Sequence, residues 1–188
     1  MNLAKVVHFD SVRAYRWLLT VAEPDRELYA YLRDEGVDIN HVINLVDGAI
    51  AIVAGTFTRF TGPTEDAIAL PILEADGTPL DVVVFSMADP RRFRTMLGLG
   101  AVLGLDQVMN PSTYAGNMPC QLTRTPLEWL KAGIEGHAVV LDPKLAAPLL
   151  KAAPGNMAAE DQRHVRELVR SGAVELRRLM VPVSEAAL

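Results

Sequence analysis

The sequence has few of the residues that build covalent or metal-bound sites. It contains one cysteine, Cys120, so no internal disulfide can form, which fits a reducing compartment. The four histidines are dispersed, and none stands at metal-ligand spacing from another histidine or from Cys120. We therefore expect no metal centre, no cofactor and an unreactive cysteine.

Long apolar runs are absent as well. The most apolar stretch, residues 49–55, has the length of a strand and is far below the roughly 20 residues that cross a bilayer. His8 and Asp10 interrupt the N-terminus too early for a signal peptide. These features predict a soluble, cytoplasmic protein without a membrane partner.

Aromatic residues make up only 6% of the chain, so Leu, Val, Ile and Ala must build most of the core. The hydrophobic fraction of 50% and the charged fraction of 22% are ordinary for a globular protein. No linker divides the chain, which predicts one α+β domain over residues 1–188, in which residues 1–40 can form a helical hairpin appendage.

Helix signals mark both ends of the chain. An aspartate cap at Asp10 predicts a helix over residues 11–22, and a second helix follows and stops at Gly36. Thr125 and Glu128 form a capping box that starts a later helix. Further helices are predicted over residues 90–97, from Pro143 to a stop or kink at Pro148, and over residues 158–171.

Strand signals cluster in the middle of the chain. The apolar runs 67–73 and 80–85 flank Asp76-Gly77, a dipeptide that favours a hairpin turn. Other strands are predicted over residues 49–54, 56–60, 137–141 and 173–181. The pattern favours an α+β fold with a partly antiparallel central sheet, on which an N-terminal helix pair and C-terminal helices pack. The strand order stays open.

No catalytic motif of useful specificity is present. Residues 98–104 superficially resemble a dinucleotide-binding glycine pattern, but that chemistry needs a strand directly before the glycines, and the preceding segment looks helical. The pattern is interpreted as a helix end followed by a tight connection. There is also no P-loop, no Gly-x-Ser-x-Gly elbow and no Asp-x-Asp pair, so we predict no catalytic residue.

Several side chains are candidates for binding. Three of them form a local basic cluster in a chain whose net charge is −5, and this cluster is the surface through which direct nucleic-acid binding would occur. The others lie on the exposed loop expected over residues 110–119, on the Thr125 helix, and around the 137–141 strand. The candidate binding residues are Arg91, Arg92, Arg94, Tyr114, Trp129, His137 and Asp142.

A second group of arginines is interpreted differently. Arg163, Arg166 and Arg170 have helical spacing of three and four and are interleaved with Glu160 and Glu167. This alternation is typical of a solvated, salt-bridged helix face.

Several short segments come in order between residues 81 and 142: DVVV (81–84), DPRRF (89–93), LGLGA (97–101), TPLEWLKAG (125–133) and GHAVVLD (136–142). This region resembles one found in uncharacterised bacterial proteins, some of them linked to phage or plasmid primase-type replication proteins. The paired acidic residues of a primase catalytic centre are missing from these segments. The resemblance therefore implies an accessory or interaction role, and no catalytic residue is carried over from it.

The sequence leaves three functions open. The first is a non-catalytic interaction or accessory protein that works with mobile-element or DNA replication machinery, and it implies a protein partner or self-association. The second is a small-molecule binding protein or enzyme with a pocket at the sheet edge. The third is direct nucleic-acid binding, which would depend steeply on salt.

Overall fold

The computed structural model describes residues 26–39, 53–56 and 66–180 of the chain. The helices are α1 (Arg26–Asp34), α2 (Leu105–Met109), α3 (Pro126–Lys131), α4 (Pro143–Ala152) and α5 (Gln162–Arg170). The strands are β1 (Val53–Thr56), β2 (Asp66–Leu73), β3 (Pro79–Ser86), β4 (Phe93–Thr95), β5 (Val102–Leu103), β6 (Cys120–Thr123), β7 (His137–Val140), β8 (Met157–Ala159) and β9 (Leu179–Met180). Short 3₁₀ segments occupy Pro111–Asn117 and Leu176–Arg178.

The described strands form two sheets. The first sheet is antiparallel and has the order β1-β2-β3-β4. The second sheet has the order β5-β7-β6-β8-β9, in which neighbouring strands run parallel except for β5, which is antiparallel to β7. The predicted α+β class and its partly antiparallel pairing are confirmed, and the strands are distributed over two sheets.

The β2–β3 hairpin is confirmed where its turn residues predicted it. Ala67 pairs with Ser86 and Ile72 with Asp81 in an antiparallel register. In the turn, Gly77 has a φ of +83°, a conformation that residues with a Cβ atom rarely adopt. The turn thereby fixes the register of the first sheet.

Two helices that follow strands of the second sheet begin at the predicted side-chain caps. Thr125 Oγ1 accepts the Glu128 N–H at 3.1 Å and donates to the Glu128 carboxylate at 3.1 Å, which starts α3. Asp142 Oδ1 accepts the N–H groups of Lys144 and Leu145, which starts α4. Each cap satisfies backbone donors that have no partner inside the helix, which typically contributes about 1 kcal/mol.

The second sheet is covered by helices on both faces. Adjacent residues of β7 point to opposite sides, so Val139 packs in the same core as α3, whereas Ala138 packs in the same core as α4 and α5. The core on the α3 side also contains Trp129, which belongs to α3, and Phe85, which belongs to the first sheet. The two sheets therefore share one of the two buried cores of the described residues.

The helix predicted over residues 90–97 is wrong. Asp89 does accept the Arg91 N–H at 3.2 Å, but only a single turn forms there. The next residues, Phe93–Thr95, form β4, and the first of them pairs with Phe85 in β3. Pairing with the exposed edge of β3 satisfies the backbone of this segment, and this tertiary partner outweighs the local helix start.

The C-terminal predictions need two further corrections. Ala158 belongs to β8, so the helix expected to start there begins at Gln162, after a cap by Asp161. The final strand expected over residues 173–181 is reduced to β9, because residues 176–178 form a 3₁₀ turn. In both places the chain pairs with a neighbouring parallel strand over only two or three residues.

Of the remaining helix predictions, the stop of α1 is confirmed, whereas a stop of α4 at Pro148 is not. α1 stops as predicted at Gly36, whose φ is +85°. α4 continues to Ala152, so Pro148 does not end it. The predicted helix over residues 11–22 and most of the strands predicted over 49–60 lie outside the described residues. No helix in the described part of the chain is long and apolar enough to cross a bilayer.

Candidate functional site

The parallel strands of the second sheet end at a common edge. β6 lies between β7 and β8, and the chain passes from β6 to β7 on one side before it returns to β8 on the other. The strand order therefore reverses direction between β6 and β8. In open α/β sheets, ligands bind in the crevice at the carboxyl ends of the strands at such a reversal.

A groove of about 510 Å³ lies at this edge. One wall comes from the connection between β3 and β4, the floor comes from the ends of β6 and β7, and the other wall comes from α5. The residues that line it are Arg91, Phe93, Thr123, Arg124, Thr125, Val140, Pro143, Asp161, Arg163, His164, Glu167, Leu168 and Ser171. We treat this groove as the candidate functional site, since both its place in the fold and its size suit a ligand.

Arg124 follows β6 directly and holds the centre of the site. Its Nη1 lies 2.5 Å from Glu160 Oε2, its Nη2 2.8 Å from Asp161 Oδ1, and its Nε 3.4 Å from Glu167 Oε2. The Arg124 backbone N–H also donates to Glu160 Oε1 at 3.1 Å. Glu160 and Asp161 follow β8 directly, so the reversal in strand order is what brings these charges together.

The pKa values of the cluster follow from these contacts. The hydrogen bond to Asp161 is the main reason that the pKa of Arg124 is raised, and the same bond holds the pKa of Asp161 well below its usual range. The pKa of Glu167 is lowered first by its hydrogen bond from Arg163 and then by Arg124. Glu160 differs, because burial and the charge of Glu128 raise its pKa. Arg124 therefore stays cationic among carboxylates that it largely neutralises.

His164 lies beneath this cluster and is only 5% exposed. Its Nδ1 faces the Glu160 N–H at 3.4 Å, and its own backbone N–H donates to Asp161 Oδ1 at 2.8 Å. Burial, and then the charge of Arg124, lower the pKa of His164. The imidazole is thus held in its neutral form, with Nδ1 assigned as the acceptor.

The positive charges of the site are arginine side chains. The three carboxylates of the cluster each accept a hydrogen bond from Arg124. Within residues 26–39, 53–56 and 66–180, no group of three or more His, Cys, Asp or Glu side chains is arranged to hold a metal ion. The arginines that line the groove are donors that can bind and orient a charged ligand.

The structure separates the predicted basic cluster. Arg91 is exposed and lines the groove. Arg92 is exposed, and its carbonyl accepts the Ser86 N–H at 3.1 Å. Arg94 is exposed on β4 and does not line the groove. Only Arg91 of the three therefore joins the candidate site, and the binding roles of the other two stay predictions.

The other predicted binding residues have packing or capping contacts. Tyr114 is half-buried, and its hydroxyl donates to the Val108 carbonyl at 2.8 Å. Trp129 is 3% exposed, and its Nε1 donates to the His137 carbonyl at 3.0 Å. Asp142 caps α4. These contacts do not bring the four residues into one site, so binding through them stays a prediction.

The glycine-rich segment over residues 98–104 surrounds an internal carboxylate. The Leu99 and Gly100 N–H groups donate to Asp81 Oδ2 at 2.8 and 2.9 Å, and the Leu97 N–H donates to Asp81 Oδ1 at 2.8 Å. The helix predicted before the glycines is wrong, because β4 precedes them. Asp81 uses the backbone donors that a dinucleotide phosphate would need.

Cys120 has the properties expected of an unreactive cysteine. Its side chain is fully buried in β6, and burial raises the pKa of its thiol to about 12, with a smaller contribution from the charge of Asp106. Because only the thiolate is a nucleophile, this thiol does not react readily at neutral pH.

The sequence pattern does not single out Arg124 and gives no joint role to its partners. A signal is present, since the buried strand β6 ends just before Arg124 and an acidic pair, Glu160-Asp161, stands just before a helix. Because the helix predicted over residues 158–171 contains that pair, the sequence does not show that it follows a parallel strand. Because the partners are 36 and 37 residues away from Arg124 in sequence, only the strand order could join them.

Comparisons with known proteins extend the fold description. No protein-family model matches the sequence, and no curated protein is significantly similar to it. The zinc-binding and RNA polymerase domains of Aquifex aeolicus primase align with 96% of this chain at 12% identity and a TM-score of 0.57. The DnaG catalytic core aligns with 93% of this chain at 12% identity and a TM-score of 0.57.

A DNA primase domain from Pseudomonas aeruginosa aligns with 85% of the chain at 13% identity, and its TM-score of 0.47 is too low to carry an argument. The chain spans 55% of the Aquifex aeolicus chain and 71% of the DnaG chain. At 12% identity the two stronger similarities concern the fold alone. The fold of this chain is similar to that of the DnaG catalytic core and of the Aquifex aeolicus primase.

Proposed function

We propose that this chain is a non-catalytic accessory domain associated with DNA replication machinery. The replication link is supported by the similarity of its fold to two primase structures and by the resemblance of residues 81–142 to primase-type proteins. The non-catalytic part is supported by the chemistry of the sheet edge.

The observation that carries the proposal is the state of the carboxylates at the sheet edge. Metal-dependent phosphoryl transfer needs carboxylate oxygens that coordinate Mg²⁺ directly and that are held ready for it. At the sheet edge the carboxylates of Glu160, Asp161 and Glu167 are instead engaged by the Arg124 guanidinium. A divalent metal ion would have to displace the Arg124 guanidinium from these carboxylates, and the positive charge of the guanidinium would repel it. A sheet edge whose carboxylates are occupied in this way suits the binding of a partner or ligand better than the polymerisation of nucleotides.

A primer-synthesis assay tests the non-catalytic part. The purified chain is incubated with single-stranded DNA template, ribonucleotides and either Mg²⁺ or Mn²⁺, and a known active primase serves as the positive control. We expect no template-dependent product above the protein-free background. Products that appear with the wild-type chain and vanish on metal chelation would show that the chain is an enzyme.

A pull-down tests the association. The tagged chain is incubated with host lysate that has been nuclease-treated, so that shared DNA cannot bridge proteins, and the captured proteins are identified by mass spectrometry. We expect stoichiometric recovery of a replication or mobile-element protein, and none with an unrelated tagged domain of similar charge. Recovery of background proteins alone would contradict the accessory role.

The groove itself favours a second candidate function, which is ligand binding at the sheet edge. Small-molecule sites typically enclose about 300–1,000 Å³, and the groove falls in this range. This candidate differs from the first in requiring unused polar donors inside the groove.

A further inference from the structure

We propose that the groove binds a phosphate ester that carries an aromatic base, with the phosphate held by Arg91 and Arg163 and the ring against Phe93. A nucleotide is the commonest biological source of this chemistry, either free or within a single strand. The inference goes beyond the accessory role and does not depend on it, because it requires only the unused donors of the groove.

The arginines of the groove differ in whether a carboxylate neutralises them. Three arginines and two carboxylates line the groove, and the carboxylate of Glu160 beside it pairs with Arg124. Both carboxylates, Asp161 and Glu167, already accept hydrogen bonds from Arg124. The neighbouring imidazole of His164 is neutral, since burial lowers its pKa. Arg124 and Arg163 pair with carboxylates, so one lining arginine remains whose positive charge no carboxylate among the described residues matches.

Arg91 carries this unmatched charge. Its guanidinium is exposed at the groove wall and makes no hydrogen bond or ion pair among the described residues. The Arg91 backbone is held in place, because its N–H donates to Asp89 Oδ1 at 3.2 Å. A guanidinium on an anchored backbone is well suited to pair with phosphate oxygens.

Arg163 supplies further donors from the opposite wall. Its Nε donates to Glu167 Oε1 at 2.9 Å, and no other hydrogen bond occupies this guanidinium among the described residues. The bond to Glu167 orients the side chain while its two Nη groups remain available. Arg124 differs, because its Nε and both Nη groups contact carboxylates.

The apolar part of the lining accounts for the ring. Phe93 is half-buried, and it is fixed on β4 by pairing with Phe85 and by packing against the core. Val140, Pro143 and Leu168 add further apolar surface to the groove. The polar donors and the apolar surface thus belong to one groove, which suits a ligand with an anionic group beside a flat apolar body.

Isothermal titration of the full chain with adenosine monophosphate tests the proposal. We expect saturable binding at low salt that weakens at least about tenfold in Arg91→Ala and in Arg163→Ala, because each removes hydrogen bonds to a charged group. Adenosine, which has no phosphate, is expected not to bind. Both arginines are exposed, so the fold is preserved in the variants, and circular dichroism checks this.

Two matched variants serve as controls. Arg166→Ala and Arg170→Ala remove exposed arginines from α5, the helix that carries Arg163, but neither residue lines the groove. We expect both to bind adenosine monophosphate as the wild type does. If they lose as much affinity as Arg91→Ala, the binding is diffuse electrostatic attraction and the proposed site is wrong.

A single-stranded oligonucleotide of five residues distinguishes the two sources. Binding of the free nucleotide would identify a small-molecule site, whereas binding of the oligonucleotide alone would identify a site for single-stranded nucleic acid. In either case the binding must be lost in Arg91→Ala and in Arg163→Ala. A wild-type chain that binds neither probe at millimolar concentration overturns the proposal. That result leaves the proposed accessory role intact, because the latter is tested by primer synthesis and pull-down.

Discussion

Asp81 in the antiparallel sheet and Arg124 at the edge of the parallel strands each make several hydrogen bonds, but the partners are of different kinds. In the antiparallel sheet, Asp81 is 1% exposed. Its carboxylate accepts the backbone N–H groups of Val82, Leu97, Leu99 and Gly100 at 2.7 to 2.9 Å. This charge is stabilised by backbone dipoles that the fold holds in place, and no opposite charge takes part in these bonds.

In the parallel region, Arg124 is stabilised by the side chains of three acidic residues. Its side chain is 22% exposed, and those of Asp161 and Glu167 are 54% and 46% exposed. Salt screens such exposed pairs and water competes for them, whereas the buried Asp81 is shielded from both. The comparison indicates that the first charge holds the fold together and the second shapes a surface that can be occupied.

Replacing Asp81 is expected to have the largest effect on stability. In Asp81→Ala, four backbone N–H groups lose the buried carboxylate that accepts them, one from β3 and three from the segment after β4. We expect the free energy of unfolding to fall by about 3–5 kcal/mol, measured by urea denaturation. The effect is expected to be nearly the same at low and high salt.

Asp89→Ala is the matched control for this variant. Asp89 belongs to the same sheet's connecting turns and also accepts a backbone N–H, but it is exposed. We expect a loss of only about 0.5–1 kcal/mol. Equal losses in the two variants would mean that burial of Asp81 adds nothing, and the contrast between the two regions would disappear.

Replacing Arg124 is expected to have a smaller effect that depends on salt. Arg124→Ala leaves three carboxylates close together without their cation, and we expect a loss of about 1–3 kcal/mol in urea denaturation at low salt. The loss is expected to shrink toward 1 M salt, where the screening length falls from about 10 Å to about 3 Å. A loss that does not change with salt would mean that Arg124, like Asp81, stabilises the fold through contacts that salt does not screen.

The pH dependence of stability tests the buried imidazole below Arg124. Because the folded-state pKa of His164 is lowered from 6.5, the unfolded chain binds more protons as the pH falls below that value. The contribution of His164 is therefore complete above about pH 6.5 and is lost as the pH falls toward the folded-state pKa. Glu160 has the opposite sign, because its pKa is raised above 4.5 and its protonation favours the folded state.

The comparison of wild type with His164→Gln isolates the histidine. Glu160 is present in both chains, so its contribution cancels in the difference. We expect denaturation midpoints of the wild type to fall more steeply between about pH 7.5 and 5.5 than those of the variant. Parallel curves would mean that the imidazole is not held neutral by its burial.

The same contrast explains which parts of the fold could be predicted from the sequence. The hairpin at Asp76-Gly77 and the helix starts at Thr125 and Asp142 were predicted because each depends on residues within a few positions of one another. The segment after Asp89 was predicted as a helix because its cap is local, whereas its pairing with β3 is not. Ala158 shows the same limit, because alanine favours a helix unless a neighbouring strand takes up its backbone.

The candidate site was predicted only in part for the same reason. Arg91 could be named because arginines clustered near it in the sequence. Arg124 could not be, since its acidic partners come from another strand and helix, and a single arginine after an apolar run is unremarkable. Asp81 could not be named either, because nothing in the sequence shows that a loop 16 residues later turns its N–H groups toward it. Chemistry that depends on strand order becomes visible only when the order is known.

Arg163→Ala is expected to have the smallest effect on stability, and this separates a structural arginine from a binding one. The Arg163 side chain is 77% exposed and has one ion pair, to Glu167, which keeps its second contact with Arg124. We expect the free energy of unfolding to change by less than about 0.5 kcal/mol, although the same variant should bind adenosine monophosphate more weakly. A loss as large as that of Arg124→Ala would mean that the arginines and carboxylates of α5 form one structural network. Weaker ligand binding in Arg163→Ala would then reflect a disturbed groove, and only the Arg91 variant could still report a contact with phosphate.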